Sequence, residues 1–331
     1  MKVVAYSIKN FEKELLAKAN QKKHDITLIS NPLNIETAGF AAGKDAVLVS
    51  PADQVTAEVI EKLALLGIKH ISTRSVETEH IDRQTAGKYQ IKLANVPSYS
   101  PDAIAEYTLT LALALNRKVV SGYPSVPENQ DVGFNLNGKT VGIVGMGNIG
   151  KAVAKLFNGL GCRVLVNDLV IPKNVSYVQA VSLDALLAES DIVTLHIPAN
   201  EQTRNLVNSQ SIQKMKDGVM LINTSSQTVI NLQDTISAIE SGKIAYFGMD
   251  AYQHEMYHLP EKSTEIHENP AITRIRSFPN VLVTSHRAFL TREALQEIAN
   301  QTIRNLDNWH MNKCVGKACA CAKSCQPKNI S

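Results

Sequence analysis

Two groups of residues in this sequence have the types and spacing to do chemistry. The first is Gly145-Met146-Gly147-Asn148-Ile149-Gly150. The apolar run Thr140–Val144 precedes it and reads as a buried strand, while residues 151–157 follow with helical spacing. Strand, G-x-G-x-x-G, helix is the order of a dinucleotide-binding turn. Gly145 allows the tight turn, Gly147 lets the backbone approach a pyrophosphate, and Gly150 lets the helix pack close on the strand. The helix start at Asn148 and Ile149 offers N–H groups and a positive dipole end to the phosphates. A second apolar strand, 162–167, ends in Asp168, 18 residues past Gly150. An acid there accepts hydrogen bonds from the adenosine ribose hydroxyls and repels a 2′-phosphate.

The second group is His286, which follows the apolar strand 280–284, and Glu255, just past the strand ending Gly248-Met249-Asp250. A histidine at a strand's C-terminal end, in the half of the chain that holds the glycine turn, is placed for proton transfer. A carboxylate beside it would hold the imidazole's orientation and favour its protonated form. Hydride transfer to a ketone needs such a donor, because the developing alkoxide must be neutralised.

These residues must be positioned by alternating strands and helices. The first third predicts strands at 3–6, 46–50 and 69–72, with helices at 11–19 and 57–66 between them. A long helix follows from Pro101 to Arg117, with Pro101 suited to a first helical turn. Residues 121–137 read as a loop. From Gly138 the pattern resumes, with strands at 140–144, 163–167, 191–196, 219–223, 245–248 and 281–285. Helices are predicted at 183–188, 209–216, 232–241 and 291–309. Such alternation means parallel sheets with helices on both faces and ligands at the strands' C-terminal ends. Because the fingerprint starts near residue 140, the dinucleotide domain (101–289) is expected to be inserted into a substrate domain made of 1–100 and 290–331.

Composition sets the outer limits. The 331 residues suffice for two domains, and 44% hydrophobic with 20% charged residues is ordinary for a globular protein. A net charge of +3 argues neither for nucleic acid nor for a membrane surface. No apolar run reaches the ~18 residues of a membrane span. The first residues read as a strand rather than a signal peptide, so a cytoplasmic location is expected. Cys314, Cys319, Cys321 and Cys325 match no standard zinc spacing; they read either as a soft-metal or redox-sensitive tail or as a loose terminus of reduced thiols, and no metal is expected.

The combination of motifs resembles the D-isomer-specific 2-hydroxyacid dehydrogenases, most closely their D-lactate dehydrogenase branch, from Met1 to about Trp309. The resemblance is carried by Asn95-Val96-Pro97-Ser98-Tyr99-Ser100-Pro101, the glycine turn with Asp168, Leu195-His196-Ile197-Pro198, Asn223-Thr224, Met249-Asp250-Ala251-Tyr252 and His286-Arg287-Ala288-Phe289-Leu290-Thr291. It implies two Rossmann-like α/β domains with a cleft between them, holding NAD and a small 2-keto or 2-hydroxy acid, in a homodimer built through the cofactor domain. By the same resemblance His286 is the proton donor and acceptor, Glu255 its carboxylate and Tyr99 a wall of the substrate cavity. Asp250 then lies near the nicotinamide carboxamide, and His196, Pro198, Asn223 and Thr224 belong to cofactor motifs.

Two positions depart from the family pattern. Ser226 stands where an arginine clamps the substrate carboxylate and keto oxygen, and a serine lacks both the charge and the forked donors. Glu77, after Val76, stands where a glycine lies in the carboxylate-binding loop. Arg287 and Arg74 are candidates to compensate. Two readings stay open: a dehydrogenase acting on pyruvate/D-lactate or a close relative, and a catalytically weak or inactive NADH-binding protein of the same fold. In either case NADH should bind more tightly than NADPH, and Asp168→Ala should narrow that preference. Fluorescence titration checks this, and tighter NADPH binding by the unmodified protein would overturn it.

Overall fold

Three consecutive buried residues, Val3-Val4-Ala5, fit a strand covered on both faces. They lie in β1 (Lys2–Ala5) of the computed structural model, which describes residues 1–76, 78–120, 132–171, 175–251, 257–258 and 267–321. The chain continues through α1 (Asn10–Asn20), β2 (Asp25–Leu28), β3 (Ala46–Val49), α2 (Ala57–Leu65), β4 (His70–Thr73), α3 (Arg83–Lys88) and β5 (Lys92–Ala94). These strands form a parallel sheet in the order β2-β1-β3-β4-β5. The sequence pattern does not announce β2, α3 and β5. β2 is a partly exposed edge of sequence Asp-Ile-Thr-Leu, and β5 has three residues, so neither carries an apolar run.

After α4 (Pro101–Arg117) come β6 (Thr140–Val144), α5 (Asn148–Gly159), β7 (Arg163–Asn167), β8 (Val178–Ala180), α6 (Leu183–Glu189), β9 (Ile192–Leu195) and α7 (Ser209–Gln213). Then follow β10 (Val219–Asn223), α8 (Leu232–Glu240), β11 (Ile244–Ala251), the short antiparallel pair β12 (Tyr257–His258) and β13 (His267–Glu268), α9 (Pro270–Arg276), β14 (Val281–Ser285) and α10 (Arg292–His310). The larger sheet is parallel, in the order β14-β11-β10-β9-β6-β7-β8. From β6 the chain builds outward through β7 and β8, then returns to β9 on the other side of β6. That reversal is a topological switch point, where an open α/β sheet leaves a crevice at its C-terminal edge. The α/β class expected from the sequence is the one found. α9 was not anticipated; Pro270 starts it and the Asn269 side chain accepts the Ala271 N–H.

The chain divides into two compact units, Met1–Ser100 with Thr291–Ser331, and Pro101–Leu290. In the first, α10 lays Ala299, Ile303, Leu306 and Trp309 on Val3, Ala5, Ala46 and Leu48. The alternate residues Val4, Val47, Val49 and Ile71 face Val59, Ile60 and Leu63 of α2. In the second, Val153, Ala154 and Phe157 of α5 pack on Val141 and Ile143 of β6. Among the described residues no helix is long and apolar enough to cross a membrane.

The cysteine-rich terminus corrects an expectation. Residues 318–321 are not loose: the Asn95 N–H donates to the Ala318 carbonyl at 2.9 Å and the Ala320 N–H to the Leu93 carbonyl at 3.0 Å. The segment lies antiparallel on the outer edge of β5, bridging Cys319 to Ala94. An edge strand's unpaired backbone groups attract such a partner, which composition alone does not reveal. Cys325 and residues 121–131 of the expected loop lie outside the described residues.

A Cβ on Gly150 would sit 1.9 Å from the Gly145 carbonyl oxygen, so α5 approaches the β6 turn only because this residue is glycine. Gly150→Ala should therefore destabilise the protein by about 1–3 kcal/mol and weaken NADH binding, read by urea denaturation and fluorescence titration.

Candidate active site

The larger sheet brings the C-terminal ends of β6, β9, β10, β11 and β14 to one edge. Gly145, with φ +101°, turns the chain out of β6; a Cβ there would lie 2.4 Å from the His196 carbonyl oxygen. The turn is thus pressed against the end of β9. Gly147 is the N-cap of α5 and makes no side-chain cap. A Cβ on it would meet nothing within 4 Å. The first turn of α5, at Asn148 and Ile149, therefore presents polarised N–H groups beside open space, which fits a pyrophosphate. Asp168 ends the neighbouring strand β7. Its carboxylate accepts the Met146 N–H of the glycine turn and, at 3.0 Å, the Val170 N–H.

His196 and Pro198 follow β9. The His196 Nε2 pairs with the Thr194 hydroxyl at 2.9 Å, and burial pushes the imidazole down to about 3, so it is neutral at physiological pH. The Pro198 carbonyl accepts the Thr203 hydroxyl at 2.6 Å, which fixes the loop after it. At the end of β10, buried Asn223 locks the next turn. Its Oδ1 accepts the N–H and hydroxyl of Ser225 at 3.0 and 2.8 Å, and its Nδ2 donates to the Ser226 carbonyl at 3.0 Å. The Thr224 hydroxyl meets that of Thr108 on α4 at 2.9 Å. Ser226 caps the short turn Gln227–Val229: its Oγ accepts the Thr228 N–H at 3.2 Å and pairs with the Thr228 hydroxyl at 2.9 Å. The residue in the arginine's place is thus engaged in local capping.

His286 occupies the left-handed region, with φ +46°, directly after β14. Asp250, buried at the end of β11, accounts for this. One carboxylate oxygen accepts the Thr284 hydroxyl at 2.6 Å and the Arg287 N–H at 2.9 Å, and the other accepts the Ala288 N–H at 2.7 Å. The groups on both sides of His286 are thereby tied to one anion. Tyr107 of α4 shares a hydrogen bond with the Thr284 side chain, and burial raises its phenol pKa. The Phe289 ring lies 4.9 Å from the His286 ring. Thr284 and Tyr107 escaped the sequence reading. Thr284 meets Asp250 through the register of β14 on β11, which the sequence alone does not give, and Tyr107 had no signal either.

Arg287 has an exposed side chain. Arg74 is the other candidate to compensate. It is buried, donating from Nε to Glu12 at 3.2 Å and from Nη2 to the Tyr6 carbonyl at 3.0 Å, so it joins β4 to β1 and α1. Also in the first unit, the Val76 carbonyl accepts the Asn95 side-chain amide at 2.8 Å, and Tyr99 lies between β5 and α4. Glu77 and Glu255 lie outside the described residues. No group of three or more His, Cys, Asp or Glu among the described residues could hold a metal ion.

A glycine turn at a switch point, an acid just after the next strand and a histidine thus share one sheet edge, the edge at which open α/β sheets bind nucleotides. Residues 109–288 match the model of the D-isomer specific 2-hydroxyacid dehydrogenase NAD binding domain. The chain is 38% identical over 325 residues to D-lactate dehydrogenase kk1H of Curvularia clavata, covering 93% of this chain and 92% of that protein. It superposes on the apo structure of Escherichia coli D-lactate dehydrogenase with TM-score 0.87 and 31% identity, over 96% of this chain and 99% of that one. The pyruvate reductase of Chlamydomonas reinhardtii gives TM-score 0.88 and 35% identity, over 96% and 98%. This chain belongs to the D-isomer-specific 2-hydroxyacid dehydrogenase family, and its cofactor is NAD.

Asp250→Ala strands the N–H groups of Arg287 and Ala288. It should destabilise the protein by about 2–4 kcal/mol in urea, and amide exchange at 287–288 should quicken. Unchanged exchange there would show that another group holds the His286 turn.

Proposed function

We propose that this enzyme interconverts a 2-keto acid and a D-2-hydroxy acid, pyruvate and D-lactate or a close relative, with His286 as acid and base. The observation that carries the reading is the His286 turn, held by Asp250 on the sheet edge that also bears the glycine turn. Bound NADH supplies the hydride. The N–H groups from Gly145 to Gly150 would hold its pyrophosphate and Asp168 its adenosine ribose. His196, Pro198, Asn223, Thr224 and Asp250 line the rest of the cofactor site. His286 donates its proton to the keto oxygen as charge develops there, with Glu255 favouring the imidazolium. Val76, Glu77, Tyr99, Ser226 and Arg287 are assigned to the substrate. The same resemblance supports a homodimer through the cofactor unit, and a cytoplasmic location is the one we assign.

The missing arginine is the main departure. An uncompensated loss of such a bidentate contact costs roughly 2–4 kcal/mol, or about 30- to 1000-fold in rate. The exposed Arg287, next to His286, is the cation we assign to the substrate carboxylate. The second reading, an NADH-binding protein with little turnover, is favoured by the engagement of the Ser226 hydroxyl with Thr228.

Following NADH absorbance with a panel of 2-keto acids separates the two. Under the first reading turnover appears, falls as pH rises because reduction needs the imidazolium, and drops about 100-fold or more in His286→Gln with NADH binding intact. Arg287→Ala should cost at least about 30-fold, and Ser226→Arg should lower activity by crowding a like charge. A rise in pyruvate turnover in Ser226→Arg would instead make Ser226 a simple loss. No turnover on any acid, with NADH binding retained, would favour the second reading.

A further inference from the structure

We propose that the C-terminal segment 318–321 is a positioning element for the loop Ser75–Val76, acting through Asn95. The proposal rests on the reading above, which places this loop at the substrate carboxylate. β5 has three residues and lies at the sheet edge. Strands of that kind, with their outer backbone groups unpaired, open readily. Here the terminus pairs them. Ala320 donates to the Leu93 carbonyl, Asn95 donates to the Ala318 carbonyl, and the Leu93 N–H donates to the Cys321 sulfur at 3.2 Å. Arg83 of α3 holds the segment from the side. Its Nε donates to the Ala320 carbonyl at 2.9 Å and its Nη2 to the Cys321 carbonyl at 3.2 Å. Ala320 is buried in the core beneath α2, so the segment is anchored by packing as well.

Asn95 connects this edge to the loop. Its backbone N–H is taken by the terminus, and its side-chain amide donates to the Val76 carbonyl at 2.8 Å. Its own carbonyl accepts the Asn305 amide at 3.1 Å. The next residue, Val96, donates its N–H to the Ser75 carbonyl at 2.9 Å. Asn95 therefore touches both the terminal strand and the loop whose N–H groups would receive an anion. A binding loop must be held to within about 0.5 Å, so release of the outer strand is felt at the carboxylate. Asn95 is a positioning residue in this scheme, and the terminal strand keeps it in place.

The test uses the full-length protein. Ala320→Pro deletes the N–H given to Leu93, Arg83→Ala removes the lateral grip, and Asn95→Ala removes the bond to Val76. Each should raise KM for the best keto acid about tenfold, with kcat within about twofold and NADH affinity unchanged. Because the terminus acts through Asn95, the double variant Ala320→Pro/Asn95→Ala should be no worse than Asn95→Ala alone. Amide exchange of a peptide spanning 70–80 should quicken in all three single variants. Additive KM effects, a parallel loss of NADH affinity, or faster exchange confined to 92–95 would each overturn the proposal. Arg83→Ala keeps the test open if the proline variant does not fold. Failure of the dehydrogenase reading would appear separately, as no turnover by the unmodified protein, and the exchange measurement would still decide this point.

Discussion

A buried carboxylate governs the geometry of the histidine turn. Asp250 has lost most of its water, and an ion so placed is tolerated only if strong donors replace the solvent. The parallel register of β11 with β14 sets Asp250 beside Thr284, so the hydroxyl of Thr284 and the N–H groups of Arg287 and Ala288 converge on it. Three charge-assisted hydrogen bonds offset the desolvation and, together, leave the chain between them few conformations. The left-handed backbone of His286 follows from that constraint, at a modest local cost that the anion's contacts outweigh. The same bonds fix the backbone that carries the His286 imidazole.

The glycine turn follows from a different constraint, close approach. Gly145 and Gly150 leave no room for a Cβ, so β6, β9 and α5 meet at distances that other residues would prevent. Gly147 faces the opposite way, into open space. The same short segment thus packs tightly inward and stays accessible outward, which is what an anion site at a helix start demands.

The substitution at Ser226 has a local logic that does not depend on the substrate. With Asn223 and Thr228 it closes a compact, self-capped turn at the end of β10. An arginine there would have to leave that turn to reach a ligand, whereas serine stabilises it from within. Arg287, the cation beside His286, has its backbone N–H held by Asp250 and its side chain exposed.

Much of this was legible in the sequence, because the signals were local. The glycine spacing, Asp168, the apolar strands of the cofactor unit and the pairing of motifs that marks the family all depend on short-range order and periodicity. β2, β5 and the terminal strand 318–321 were not legible, since edges bury little and carry no apolar run. Nor were the partners of Asp250 and the burial of Arg74. Both depend on which residues distant in sequence become neighbours, and strand order and register decide that. Sequence determined the class of protein and the chemistry its side chains can perform; tertiary structure decided which of those side chains are free to perform it, because hydrogen-bond capacity already used for packing and capping is not available to a ligand.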